Sequence, residues 1–212
     1  MKSDELLQKV KNDYNQIAAH FSQTRAHDWA EFDILIPYLH SEQTLLDLAC
    51  GNGRLLNFLK KQPNTPTYIG IDNSKNLLTE AKKLHSKAKF VEADMLEIPL
   101  HDQSVDIITN IAAFHHLPDE ETRTQTLNEM HRTLKTNGLL FLTVWNLDQP
   151  RFDKCHRQNR DFFIPFADSG VDRYYYGFKP DELTNLLNHA GFQIIKEIHN
   201  KNHIYLCQKY SM

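Results

Sequence analysis

Asp47, Gly51, Gly53 and Asp72 are spaced as a nucleoside-binding set. The run Thr44-Leu45-Leu46-Asp47-Leu48-Ala49-Cys50-Gly51-Asn52-Gly53-Arg54 carries an apolar strand into a Gly-x-Gly turn. A helix pattern follows over 52–61, and a second strand, Thr67–Asp72, ends on an acid nineteen residues past Gly53. Strand, glycine turn, helix, strand and acid make a nucleotide-binding βαβ unit. The glycines let backbone approach a ligand closely, and a carboxylate at the second strand end can accept from both ribose hydroxyls. Position 56 is Leu, so the third glycine of a dinucleotide fingerprint is missing. A nucleoside without a pyrophosphate, such as S-adenosylmethionine, fits this pattern better. Taken alone, the glycines would equally suit a plain strand-to-helix turn.

The elements that must position these residues alternate. Leu6, Leu7, Val10, Tyr14, Ile17, Ala18 and Phe21 recur at helical spacing and predict an amphipathic N-terminal helix. Residues 29–40 read as a second helix interrupted by Pro37. Ser74 is the expected N-cap of a helix reaching Lys87. Strands over 89–94 and 105–110 follow, then a helix over 120–135 stopped by Asn137-Gly138. The stretch 139–145 is apolar enough for a central strand. Residues 146–179 are rich in aromatics and charge, and longer than an ordinary connection; they read as an ordered lid. A helix over 180–190, closed by Gly191, precedes a hairpin of 193–199 and 203–210. The expected fold is α/β: a Rossmann-like, seven-stranded, mostly parallel sheet with one antiparallel strand, helices on both faces and an N-terminal helical cap. One domain is expected over 1–212, divided into the cap (1–40), a cofactor-binding core (44–145), a substrate-side insertion (146–180) and a C-terminal helix and hairpin (181–212).

Composition accords with this. A chain of 212 residues, 41% hydrophobic, can fill one large core. The net charge of −3 advertises no global basic field for nucleic acid, although basic residues can cluster locally. Cys50, Cys155 and Cys207 are few and far apart, with no disulfide framework and no metal spacing, which points to a reducing cytoplasm. No apolar run reaches ~18 residues, so no membrane partner is expected. The start, Met1-Lys2-Ser3-Asp4-Glu5, lacks the apolar core of a signal peptide.

From Leu45 to Trp145 the chain resembles the class I S-adenosylmethionine-dependent methyltransferases. The residues that carry the likeness are Leu46-Asp47-Leu48-Ala49-Cys50-Gly51-Asn52-Gly53, Gly70-Ile71-Asp72, Glu92-Ala93-Asp94-Met95, His115-His116-Leu117-Pro118 and Leu134-Lys135-Thr136-Asn137-Gly138. Two flanking stretches are more particular. Tyr14-Asn15-Gln16-Ile17-Ala18-Ala19-His20-Phe21-Ser22-Gln23-Thr24-Arg25, with Trp29 beyond, is similar to the start of the wobble-uridine tRNA carboxymethyl methyltransferases and their AlkB-fused relatives. Arg173-Tyr174-Tyr175-Tyr176-Gly177-Phe178 resembles their C-terminal Arg-Tyr-Tyr stretch. The resemblance implies S-adenosyl-L-methionine as cofactor and S-adenosyl-L-homocysteine as its product. It further implies esterification of 5-carboxymethyluridine in tRNA, often with a small zinc-binding activator subunit.

Roles follow residue by residue. Gly51 and Gly53 are expected along the methionine part of the cofactor, Asp47 at its amino group and Asp72 at the ribose hydroxyls. Asp94 would accept from the adenine amino group or, alternatively, cap a helix. The Met95 N–H would read the ring, and Ala49, Asn73 and Asn110 belong to the same cofactor set. The planar Arg25 fork suits either the cofactor's carboxylate or a substrate acid, unless it is spent in a surface ion pair. His115 and His116 follow the fourth strand, where a methyl acceptor should sit. His116 is the stronger candidate, as a neutral orienting group or as a cation. No metal site is expected, since adjacent histidines point apart. Arg25, Arg173 and His116 form the expected catalytic set, and Trp29, His115, Tyr174 and Tyr175 the substrate-binding set. Arg151, Lys154, His156, Arg157 and Arg160, beside Phe152, Phe162 and Phe163, make a candidate tRNA contact or a solvated face. A small-molecule O-, N- or C-methyltransferase and a non-catalytic cofactor-binding subunit are the alternatives.

Overall fold

The computed structural model describes residues 1–25, 27–155 and 158–210. Among them the strands are β1 (Thr44–Leu48), β2 (Thr67–Asp72), β3 (Lys89–Glu92), β4 (Val105–Ile111), β5 (Leu134–Trp145), β6 (Asp161–Pro165), β7 (Asp172–Tyr176), β8 (Phe192–His199) and β9 (Asn202–Lys209). The α-helices are α1 (Ser3–Gln23), α2 (Arg54–Leu59), α3 (Lys75–Leu84), α4 (Glu120–Thr133) and α5 (Pro180–His189). Seven strands form one sheet in the order β3-β2-β1-β4-β5-β9-β8. The pairs from β3 to β5 are parallel, and β9 runs antiparallel to both neighbours. This is the expected Rossmann-like sheet with a single reversed strand.

Side chains alternate across the sheet with the two-residue period of a strand. Leu46, Leu48, Ile108, Leu140, Leu142 and Tyr205 join one core with Leu127, Leu183 and Leu187 of α4 and α5. Leu45, Ile107, Phe141, Ile204 and Leu206 join a second core with Phe32, Leu35, Leu55 and Phe58. Helical elements therefore cover both faces. Strand order reverses between β1 and β4, so their C-terminal ends splay apart into a crevice where α/β sheets bind ligands.

Four local expectations need correction. The second helix is a 3-10 helix, Ala30–Tyr38, with Pro37 in its last turn. The helix after the glycine turn is only Arg54–Leu59, because Gly53 takes a left-handed φ of +74° and starts it late. The Ser74 cap is as expected, its hydroxyl accepting from the Leu77 N–H at 3.2 Å, but α3 ends at Leu84. Asn137-Gly138 does not stop α4, which ends at Thr133. The pair lies within β5, where the register to β4 shifts. A Cβ at Gly138 would stand 2.8 Å from the Lys135 carbonyl oxygen, which is why only glycine fits there.

Residues 146–179 contain a short antiparallel hairpin, β6 with β7, that periodicity had not revealed. Its aromatics pack with Leu147, Phe152 and Phe162 in a separate small core. Helix α1 lies across the crevice. The Asn15 side-chain oxygen accepts from Ser74 Oγ (2.9 Å) and the Asn76 N–H (3.1 Å), and its carbonyl accepts from Asn76 Nδ2 (2.9 Å). Ser3 hydrogen-bonds Asp119 at the other end. No helix among the described residues is long and apolar enough to cross a membrane.

Candidate active site

Three adjoining cavities open at the sheet's reversal point, and Phe21 and Ile111 line all three. The largest is an open cleft of about 530 Å³, solvent at its mouth included, between α1 and the ends of β1, β2 and β4. Ala49, Gly51, Asp72, Asn73, Met95 and His116 line it. Asp72 ends β2 with both carboxyl oxygens held: one accepts from the Gly51 N–H and the other from the Ser74 N–H, each at 2.8 Å. Burial pushes this carboxyl up to about 6 against those two hydrogen bonds. Asn73 Nδ2 donates to Asp94 Oδ2 at 3.0 Å, and the other Asp94 oxygen accepts from the Leu96 N–H.

The second cavity gathers Asp47, Gly51, Asn52, Arg25 and Arg54. Register explains the placing of Asp47. It pairs across the sheet with Gly70 on one side and Thr109 on the other, so Thr109 Oγ1 donates to it at 2.8 Å. The Tyr68 hydroxyl donates to the other carboxyl oxygen at 2.8 Å. Burial pushes Asp47 up to about 6 as well, partly offset by these bonds. Ala49 and Gly51 take φ of +61° and +57°, which turns the backbone away from the strand and opens this space. A Cβ on Gly51 would meet only Phe21, at 3.8 Å. One acid opposite two guanidinium groups suits a zwitterionic amino-acid head. An acid at the neighbouring strand end suits a ribose. The residues present thus fit S-adenosylmethionine, with its adenosine in the first cavity and its methionine end in the second.

The third cavity lies toward the β6–β7 hairpin. Arg25, Arg54 and Arg173 line it with Tyr14, Trp29, Trp145 and Tyr175. Arg173 is 4% exposed and lies 4.9 Å from the Phe166 ring centre and 5.3 Å from that of Tyr175. Its Nε has no hydrogen-bond partner, and among the described residues no carboxylate lies within ion-pair distance of it. Burial works against its charge, but Tyr14, Tyr175 and Asp13 together more than offset that and raise its pKa. Tyr175 stacks on Trp145 at 5.0 Å, and its buried hydroxyl also lacks a partner.

His116 bridges the first cavity to the hairpin. Its Nδ1 lies 2.6 Å from the Tyr174 carbonyl oxygen and its Nε2 2.8 Å from the Tyr14 hydroxyl. A carbonyl only accepts, so Nδ1 carries the proton and Nε2 accepts from Tyr14. Burial, with the Arg173 charge nearby, lowers the imidazole to about 3.

Several expected site residues sit elsewhere. His116 does line the first cavity, where burial favours its neutral form and both ring nitrogens are engaged. His115 is fully buried beneath Trp145, where its Nδ1 accepts from the Trp145 N–H at 3.1 Å; it lines none of the cavities. Tyr174 points the other way along β7, its hydroxyl donating to Asp161 at 2.8 Å. Asn110 is buried in the strand end, where it bonds the Leu48 carbonyl and the Phe114 N–H. Gly53 faces His85 and Phe90 rather than a cavity. Of the basic cluster, Arg160 is paired with Asp148 at 2.7 Å, Arg151 lies over Phe152, and Phe152 and Phe162 are buried. His156 and Arg157 lie outside the described residues. Among the described residues no group of His, Cys, Asp and Glu is arranged to hold a metal.

Tyr14, Arg54 and Trp145 were missed as site residues. Arg54 sits directly after the Gly-x-Gly turn, a signal that was available. Tyr14 reads from spacing only as a helix core position.

The methyltransferase domain model matches residues 46–142. A protein of Encephalitozoon cuniculi named as a methyltransferase is 30% identical over 188 residues, covering 86% of each chain. The Schizosaccharomyces pombe tRNA (carboxymethyluridine(34)-5-O)-methyltransferase is 26% identical over 213 residues, 89% of this chain and 90% of that one. A Chlamydia caviae demethylmenaquinone methyltransferase is 28% identical over 211 residues, 91% and 88% of the two chains. Among solved structures, a SAM-dependent methyltransferase from Methanosarcina mazei superposes with a TM-score of 0.73 at 22% identity, covering 84% of this chain and 98% of its own. A chain of the complex between the Haloferax volcanii Trm112 methyltransferase activator and its methyltransferase reaches 0.74 at 16% identity, covering 96% and 98%. Fold, crevice and relatives agree: the chain belongs to the class I S-adenosylmethionine-dependent methyltransferases.

Proposed function

We propose that this methyltransferase esterifies an ionised carboxylate, that of 5-carboxymethyluridine at the wobble position of tRNA. The observation that carries the acceptor class is Arg173, a cation 4% exposed and without an ion-pair partner among the described residues. Its surroundings keep it charged, with Asp13 acting on it from beyond ion-pair distance, so an anionic substrate has a standing cation to seat against. A carboxylate is also the acceptor that asks least of this site. It is ionised at neutral pH and needs no proton removed. The one imidazole at the cavity, His116, is a poor base, with its Nε2 already taken by Tyr14. The bound cofactor supplies a methyl already activated on a sulfonium. What the chain's own residues contribute is alignment and exclusion of water. Arg173 and Arg25 orient the acid, Trp29 and Tyr175 wall the cavity with rings that can flank a base, and Tyr14 with His116 fixes α1 over the reacting groups.

The tRNA part of the reading rests on the two flanking stretches and on the names of relatives such as that of Schizosaccharomyces pombe. Arg151 on the insertion is the candidate phosphate contact. The resemblance and the Haloferax volcanii complex support a small zinc-binding activator as partner. The free thiols of Cys50, Cys155 and Cys207 support a cytoplasmic setting.

A small carboxylic acid is the second reading, favoured by the net charge of −3 and by the pairing of Arg160 with Asp148. The test incubates the purified chain with methyl-labelled S-adenosylmethionine and tRNA lacking the wobble ester, with and without the activator, followed by nucleoside mass spectrometry. Labelled ester whose formation weakens steeply with salt supports the tRNA reading. Label found only in a deproteinised metabolite extract overturns it.

A further inference from the structure

Cofactor and acceptor each bring a carboxylate to this site, and three arginines line the two cavities that would receive them. Arg25 and Arg54 each border both cavities, whereas Arg173 borders only the third. Their surroundings separate them. Arg54 opens α2 directly behind the turn that shapes the second cavity. Its guanidinium carbon lies 4.1 Å over the Trp29 ring, which holds the fork flat, and among the described residues it makes no hydrogen bond and no ion pair. Arg25 is folded back on its own helix end: Nη1 donates to Thr24 Oγ1 at 2.9 Å and to the Thr24 carbonyl at 3.3 Å, and the group lies 4.5 Å from the Phe21 ring centre. The electrostatic neighbours differ too. Arg54 acts on Asp47 and has Glu31 and Asp28 as further acidic neighbours besides the charge of Arg25, whereas Tyr14, Arg173 and Tyr175 act on Arg25.

We propose that Arg54, not Arg25, holds the cofactor's α-carboxylate while Asp47 takes its ammonium, leaving Arg25 to join Arg173 on the acceptor acid. The Arg25 half of this rests on the carboxylate-acceptor reading; the Arg54 half does not. A planar fork lining the same cavity as Asp47 offers a zwitterionic head one cation and one anion. A guanidinium beside Arg173 gives an acid two donors sets that converge, without drawing on the cation already committed to the cofactor.

Calorimetry on the full chain with two ligands tests this directly. S-Adenosylhomocysteine carries the amino-acid head; 5′-methylthioadenosine shares the nucleoside and thioether but lacks that head. Arg54→Met is expected to weaken the first about 100-fold and the second less than about twofold, and Arg54→Lys to recover much of the loss. Arg25→Met is expected to leave S-adenosylhomocysteine within about threefold and to raise KM for the acceptor. Equal losses for both ligands in Arg54→Met, or a loss in Arg25→Met matching that in Arg54→Met, overturns the assignment. If the wild type turns over no carboxylate acceptor at all, the acceptor reading and the Arg25 half fall together, while the two-ligand comparison still decides Arg54.

Discussion

The two sides of the crevice are built on opposite principles. On the cofactor side, at the ends of β1 and β2, two acids face the cavities beside Arg54, and each acid oxygen already accepts a hydrogen bond: Asp72 from two backbone N–H groups, Asp47 from Tyr68 and Thr109. On the acceptor side, formed by α1, Trp145 and the β6–β7 hairpin, the charged groups are arginines set among rings. There the Arg173 Nε and the Tyr175 hydroxyl are buried without partners. The acids of the first side have their hydrogen bonds met before any ligand arrives. The second keeps buried polar groups unmet among the described residues, which the proposed anionic acceptor would complete. Unmet buried polar groups mark where specificity is held, since a substrate that fails to satisfy them leaves them costly.

That contrast can be broken most sharply at Arg173. Arg173→Met is expected to lower kcat/KM by about 1,000-fold, the scale of losing one partner of a buried charge pair, with S-adenosylhomocysteine affinity within about twofold of wild type by calorimetry. Equal damage to cofactor binding would show that the two sides are not separable. Asp72→Ala is the converse. Cofactor affinity should fall about 100-fold, through loss of both the ribose acceptor and the brace on Gly51 and Ser74. Acceptor KM at saturating cofactor should hold.

A pH series sharpens the comparison further. Asp47 sits near 6 before the cofactor arrives and must be ionised to hold an ammonium. Cofactor affinity should therefore fall as pH drops through about 6, by about tenfold per unit for each acid that must ionise. His116, near 3, stays neutral over that range and adds no such dependence on the acceptor side. Stability of the unliganded chain carries two opposing slopes. Asp47 and Asp72 hold their protons longer in the folded state, so they favour folding at low pH and lose that contribution as pH rises from 3.8 to about 6. His116 and His203, lowered to about 3 and about 4, are charged only in the unfolded chain below their ordinary 6.5, so their contribution is lost as pH falls. Asp47→Asn should remove one of the acid slopes in a urea-unfolding series and leave the histidine slopes.

The smallest effect is expected at the seam. Tyr14→Phe removes the hydroxyl that His116 accepts from, which should cost about fivefold in kcat/KM and leave cofactor affinity nearly intact. A much larger loss would give Tyr14 a part in holding the acceptor itself.

The cofactor side was legible in the chain because it is local. Asp47, Ala49 and Gly51 lie within one strand-turn, and Asp72 ends the next strand. Alternation of apolar residues then forces those two ends side by side, since parallel strands joined by a crossover pair in register. The reversed β9, the N-terminal helix and the Ser74 cap were legible for the same reason, each resting on periodicity or on one residue's chemistry. The acceptor side was not, because its contacts span most of the chain: Tyr14 meets His116 across 102 residues, and His116 meets the Tyr174 carbonyl across 58. Side chains alternate along a strand, so within Arg173-Tyr174-Tyr175 the register of β7 against β6 sends Arg173 and Tyr175 to the cavity and turns Tyr174 away. Likewise two adjacent histidines became a neutral brace and a core residue only through burial, which no spacing reports. The amino-acid sequence by itself determined which ligand chemistry the sheet could hold; the packing of α1 and the hairpin over it decided which charges stayed unpaired, because pairing and desolvation depend on what comes together in space.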